Sequence, residues 1–283
     1  MENTNELRMI NGRGWWMGFA NLFHANNAKW WRTKKWIIQT VFWLLFVNGM
    51  LAMMIWSLPA EKVLKEFASL GTIKTMDALQ QNLLAGALMN FLAYYALALP
   101  VGAIIAGQDS IIGERQAGTA AWVLSKPVSR LAFILSKLAA STMGMLIIAV
   151  VIQGMVAYIQ LSFRIGSPWP IAGFLGVMGL IVLSLFFYLT LAYMLGSLFS
   201  SRGPVLGISL AVALLGPSML RAMPVIKEIT PWTFFIPVID EVPVGFSLAF
   251  GQSPKLALPI IGTALFCLIF TVIAIVRFQR EEF

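Results

Sequence analysis

The chain has 283 residues, of which 59% are hydrophobic and 11% charged. Soluble domains carry about 25% charged residues, so with a mean hydropathy of +0.82 this composition excludes a soluble protein and requires lipid as the solvent. The net charge of +8 does not mark a nucleic-acid binder, because the lysines and arginines sit at the ends of apolar runs, where they set membrane topology.

The first 35 residues contain no apolar core of the signal-peptide kind, and no cleaved signal is expected. Residues 1–35 read as a cytoplasmic segment, with Trp15, Phe19 and Leu22 on one face and Trp16 and Phe23 beside them. Trp30 and Trp31 follow, then the basic cluster Lys29, Arg32, Lys34 and Lys35. This pattern predicts an amphipathic helix lying in the membrane interface. Packing of the same face against protein is the alternative.

Residues 36–283 read as a domain of six spans. Crossing a bilayer takes about 20 apolar residues in a helix, and runs of that kind lie at Trp36–Leu58, Leu83–Gly107, Leu131–Gln160, Ile171–Ser200, Pro204–Met223 and Leu256–Val276. They are continuous rather than alternating, which favours helices over a barrel. The expected fold is therefore an all-α polytopic membrane protein. The flanking Lys and Arg residues place both termini in the cytoplasm.

No Lys, Arg, Asp or Glu falls in the middle of a span on this reading, which argues against a proton-coupled carrier. Asn48, Asn90, Gln153, Tyr94, Tyr95 and Tyr158 are the polar groups within spans. They serve either interhelical hydrogen bonds or a substrate, and Asn90, Tyr94 and Tyr95 are the candidates for a substrate pathway. Pro100 lies deep in the second span, where proline removes a backbone hydrogen bond and kinks a helix. Gly203 and Gly207 open the fifth span with a spacing that allows close helix approach, and Gly173, Gly176 and Gly179 offer the same in the fourth.

Residues 224–254 hold five prolines, with Trp232, Phe234, Phe235, Phe246 and Phe250. The segment is too broken for one crossing helix and too apolar for a solvated loop. It predicts a re-entrant helical segment on the outer side, before the last span.

Residues 108–130 form the longest charged loop between spans on the cytoplasmic side. Gly118-Thr119 breaks one helix and starts another, with Thr119 as an N-cap candidate. Residues from Ala120 to Ser125 make a short helix, Pro127 stops it, and Ser129 is a natural N-cap for the third span. Trp122, Val123 and Leu124 give this helix an apolar face that can seat in a partner's groove. A plain connector on the membrane surface is the alternative.

The run from Gly113-Glu114-Arg115 through Gly118-Thr119 to Pro127-Val128-Ser129-Arg130 resembles the loop between the second and third of six spans in exporter-class ATP-binding-cassette permeases of the ABC-2 type. The N-terminal amphipathic helix, the six spans and the broken segment before the last match as well. This resemblance implies the type V exporter fold. It implies two permease subunits, as a homodimer in the cell membrane, working with two ATPase subunits. Glu114, Arg115, Gly118, Thr119, Pro127, Ser129 and Arg130 carry over as residues that couple to the ATPase, while Lys126 stands where the family varies.

The chain has no phosphate-cradling Gly-x-x-x-x-Gly-Lys-Ser/Thr run, so ATP and Mg are expected on the partner ATPase and no cofactor in this chain. No catalytic residue and no metal site is expected. A membrane-embedded enzyme would have to use Glu228, Asp240 and Glu241. A non-transporting subunit that anchors or regulates a partner, and a channel, are the remaining readings.

Overall fold

In lipid, backbone groups can be satisfied only within helices or a closed barrel. Among the described residues, the computed structural model contains helices and no strand. It describes residues 14–56, 76–219, 223, 226, 229–237, 242–252 and 257–280.

Helix α1 is Phe19–Arg32. The first span, Trp36–Trp56, joins α2 (Lys35–Trp43) to α3 (Gly49–Trp56) through a π-helical turn at Leu44–Asn48. The second is α4 (Met76–Gln116), and the short helix α5 (Thr119–Leu124) follows it. The third span, Arg130–Ile165, joins α6 (Arg130–Met145) to α7 (Ile152–Ile165) through a second π-helical turn at Leu146–Val151. The fourth, fifth and sixth are α8 (Ile171–Leu198), α9 (Arg202–Met219) and α11 (Leu258–Gln279). Six helices in all are long and apolar enough to cross a membrane among the described residues.

The core forms around α8, the most buried span, which is apolar on every side, as a central helix must be. It packs against α4, α9, α11 and the short helix α10 (Val244–Ala249). The expected re-entrant segment contains α10 and a 3₁₀ turn at Pro231–Phe234, and both pack into the end of the bundle opposite α5. Trp232 lies on Gly216 of α9 and donates from Nε1 to the Tyr188 hydroxyl at 3.1 Å. Gly173 admits the backbone of Leu248 so closely that a Cβ there would sit 2.4 Å from its carbonyl oxygen. Gly176 faces the Leu248 side chain, whereas Gly179, Gly203 and Gly207 meet nothing within 4 Å.

Two spans outrun the hydrocarbon. The third is 36 residues long, about 54 Å of helix against a bilayer core of about 30 Å. The stretch from Gly144 to Ile165 alone covers about 33 Å and lies beside the first span, with Trp30 of α1 pressed on Gly144 at its start. The excess lies in the first turns of the third span, which carry Arg130 and Lys137 at the end that bears α5. In the second span the expected stop at Gly107 does not occur. Gly107 is a close-packing residue whose Cβ would lie 2.9 Å from Ala192, and the helix continues to Gln116. Residues 108–116 thus belong to the helix rather than to a loop. Pro100 is buried within this same unbroken helix.

Helix α1 lies lengthwise on α6, from Gly18 against Val128 to Trp30 against Gly144. None of its residues is fully buried. One amphipathic face thus meets protein, and Ala20, His24, Ala25 and Lys29 remain exposed.

Candidate functional site

The ends of α4 and α6 carry α5 between them. Gly118 has φ 66°, a left-handed conformation that costs glycine little. It closes α4 and opens α5, accepting from the Trp122 N–H at 3.4 Å. Thr119 is the first residue of α5 rather than its cap, and its hydroxyl donates to the Glu114 carbonyl at 3.2 Å. Ser129 does cap α6, accepting from the Ala132 N–H at 3.0 Å. Its own N–H donates to the Met17 carbonyl at 3.1 Å and its hydroxyl to the Trp15 carbonyl. Arg130 donates from Nη1 to the Gln279 carbonyl at 2.7 Å, tying α6 to the last turn of α11. Pro127 and Gly118 are exposed. Arg115 lies on the last turn of α4, and its side chain is outside the described residues.

Glu114 points inward. Its Oε1 accepts from Lys137 at 2.5 Å and from Lys29 of α1 at 3.3 Å. The Lys137 side chain is only 5% exposed and that of Glu114 19%, whereas Lys29 is 70% exposed. A buried cation must be paired, so Lys137, which reads from sequence as a topology charge, is held by Glu114. One turn toward the membrane, the Ser110 and Ser141 hydroxyls lie 3.2 Å apart, and Ser141 is 2.9 Å from the Tyr193 hydroxyl of α8. Two polar rungs therefore join the second, third and fourth spans. Their sequence signal is the pair of four-residue spacings, Ser110 with Glu114 and Lys137 with Ser141, which one helical turn stacks on one face.

Of the α5 side chains, those of Thr119 and Trp122 are exposed and that of Val123 packs against the cluster that holds Phe133 and Phe278. Trp122 is 64% exposed, and the Lys126 ammonium stands over its ring, 4.1 Å from the centroid. Helix α5 is thus held at both ends, through Gly118 at the end of α4 and through the contacts of Ser129 and Arg130 with α1, α6 and α11.

The family model for the ABC-2 family transporter protein matches residues 21–283, all the spans and this loop included. The chain belongs to the ABC-2 transporter family. It is a multi-pass membrane protein and the permease component of an ABC transporter, which works in association with an ABC ATPase subunit. No curated protein matches it.

Within the permease, the residues expected along a substrate pathway do not share one environment. Tyr95 is fully buried and donates to the Ala149 carbonyl at 2.8 Å. Asn90 is partly buried and back-bonds to the Gly86 carbonyl at 2.9 Å. Tyr94 is half-buried, edge-on to Phe46 of the first span. The larger polar cluster joins the two π-helical turns. Asn48 donates from Nδ2 to the Gln153 side-chain oxygen at 2.8 Å, Gln153 donates to the Ile148 carbonyl at 3.0 Å, and Gln160 donates to Asn48 Oδ1 at 3.3 Å.

A cleft of 360 Å³ lies between the third and fourth spans, lined by apolar side chains such as Val151, Met155 and Leu175, with Gly154 and Gly179 making room. Tyr158 contributes a hydroxyl, which is engaged by the Trp169 carbonyl at 3.1 Å. Among the described residues no cluster of His, Cys, Asp or Glu could hold a metal. Glu228, Asp240 and Glu241 lie outside the described residues.

Proposed function

We propose that this permease exports its substrate across the cell membrane, with α5, both termini and the adjoining ends of the second and third spans on the cytoplasmic side. It works as a homodimer with two ATPase subunits, which supply ATP and Mg. In this reading ATP binding closes the ATPases, α5 moves as a lever, and the braced ends of the spans follow. Each nucleotide state then binds one permease conformation better than the other, as alternating access requires.

The observation that carries the reading is the exposure of Trp122 on a helix whose ends are fixed by Gly118 and by the Ser129 cap. Trp is the side chain most often found at the energetic centre of protein interfaces. Glu114, Ser129 and Arg130 act in coupling through the frame they hold, and Gly118, Thr119 and Pro127 shape the lever. The apolar cleft between the third and fourth spans favours an amphipathic or lipid-like substrate, because a pocket of that size and lining returns little to a polar ligand.

The test is a mild-detergent pull-down of the tagged full chain from its native membranes, with mass spectrometry and an ATP hydrolysis assay. An ABC ATPase that co-purifies with the wild type and is lost on Trp122→Ala supports the reading. A chain that purifies from those membranes alone and without hydrolysis overturns it.

A further inference from the structure

Residues 14–56 contain no Asp or Glu, and all their cations fall between Lys29 and Lys35. Such a cluster before a first span sets topology during insertion. That accounts for its sign but not for its placement in the folded chain, where it is held at a defined corner. Trp30 lies on Gly144, where a Cβ would fall 2.6 Å from its ring. Trp31 donates from Nε1 to Asn27 Oδ1 at 3.1 Å and stands edge-on to Trp36, with 5.7 Å between the ring centroids. Thr33 is extended, with φ −100° and ψ 149°. The Ile37 and Ile38 N–H groups both donate to the Lys34 carbonyl at 3.2 Å, which closes the first turn of α2.

Three cations stand at this corner. Lys29 is 70% exposed and gives one N–H to Glu114. An ammonium has three donors, so two remain. Arg32 and Lys34 are exposed, and neither has an ion pair among the described residues. Glu114 does not neutralise the group, because Lys137 already holds its carboxylate at 2.5 Å.

The next residues show what faces the corner. Ile37, Ile38, Val41 and Phe42 are between 45% and 67% exposed and begin the outward apolar face of the first span. Cations just before such a face, with tryptophans beside them, match the passage from headgroups to hydrocarbon. An acidic soluble protein would have to lie on Ile38 and Phe42 as well. A zwitterionic headgroup would bring a cation of its own to a patch that has three.

We propose that Lys29, Arg32 and Lys34 form a site for the phosphate of an anionic lipid headgroup, at the corner between α1 and the first span. Arg32 supplies the planar fork that contacts phosphate at two points, and the two lysines add point charges. Through Lys29 the lipid joins the Glu114–Lys137 pair. Lipid, α1 and the ends of the second and third spans then make one polar chain. The site stands on the first span's own residues and does not depend on the role of α5.

Native mass spectrometry of the full chain, titrated in detergent with phosphatidylglycerol or phosphatidylcholine, tests the site. The wild type is expected to bind its first phosphatidylglycerol about tenfold more tightly than phosphatidylcholine. Arg32→Gln/Lys34→Gln is expected to lose most of this preference, since each cation near an anionic surface contributes about fivefold. Arg277→Gln/Arg280→Gln removes the same charge from the end of the last span and is expected to keep it. The unfolding midpoint reads the same site without counting lipids, rising with phosphatidylglycerol in the wild type and not in Arg32→Gln/Lys34→Gln. Equal binding of the two lipids by the wild type overturns the proposal. The same loss in both double variants overturns it too, because the preference would then follow net charge alone. An acidic polypeptide found bound in the lipid's place also overturns it.

Discussion

Lys137 donates to Glu114 at 2.5 Å from a side chain that is 5% exposed, across the ends of two spans. The pair is asymmetric in what its loss does. Removing one partner of a buried pair strands the other charge, which costs about 3 kcal/mol, whereas replacing both with apolar or neutral groups is often close to neutral. Glu114→Gln, which strands the buried Lys137, is therefore expected to lower the midpoint of thermal unfolding in detergent, and Glu114→Gln/Lys137→Met to recover most of the loss. Lys137→Met alone leaves Glu114 paired with Lys29. A double variant as unstable as the single one would show that the pair does not act as a unit. Lys29, largely exposed beside the same carboxylate, is expected to add under about 1 kcal/mol.

Coupling and stability separate at the loop. Trp122 is exposed and Glu114 turned inward, so the two act by different routes. Trp122→Ala is expected to change stability by no more than about 0.5 kcal/mol while abolishing substrate-stimulated ATP hydrolysis in the reconstituted transporter. Glu114→Ala is expected to lower both. Thermal unfolding and hydrolysis measured on the same preparations check this, and a Trp122→Ala variant with wild-type hydrolysis would remove Trp122 from the docking site.

Much of this frame can be read from residues alone, and the rest cannot for a definite reason. The Gly118 break, the Ser129 cap and the short helix between them depend on local backbone preferences, which sequence reports directly. The inward turn of Glu114 depends on α4 continuing past Gly107, and that is decided by Ala192 on another span. A glycine that stops a helix and a glycine that lets a neighbour approach look alike in sequence. Once the helix continues, the Ser110–Glu114 and Lys137–Ser141 spacings become stacked rungs rather than parts of a loop. The seating of α1 on α6 is equally non-local, since its apolar face would suit lipid or protein and Gly144 decides for Trp30.

The glycines of the fifth span divide in the same way. A Cβ on Gly216 would fall 1.9 Å from the Trp232 ring, which the Tyr188 hydroxyl holds in place. Gly216→Ala is expected to cost about 1–3 kcal/mol through overpacking. Gly207 meets nothing within 4 Å, so Gly207→Ala is expected to stabilise its helix by about 0.5–1 kcal/mol. Thermal unfolding of the two variants side by side gives opposite signs if this packing is right. A tolerated Gly216→Ala would show that Trp232 does not sit on the fifth span.

Asn48 and Gln153 decide whether the paired π-helical turns are a dry joint or part of a wet path. Their side chains are 3% and 0% exposed, and the hydrogen bonds among Asn48, Gln153 and Ile148 close on themselves. Interhelical bonds of this kind contribute about 0.6 kcal/mol on average within a membrane, up to about 1.7. Gln153→Leu is therefore expected to lower stability by about 1 kcal/mol, since Asn48 keeps the Gln153 carbonyl at 3.2 Å as a partner. Gln153→Glu places an unpaired carboxylate in the middle of the third span, at a further cost of about 2.5–3.5 kcal/mol. The expected order of unfolding midpoints is wild type, then Leu, then Glu, well separated. Glu tolerated as well as Leu would mean that water reaches the cluster, and the joint between the first and third spans would then line the route that the substrate takes.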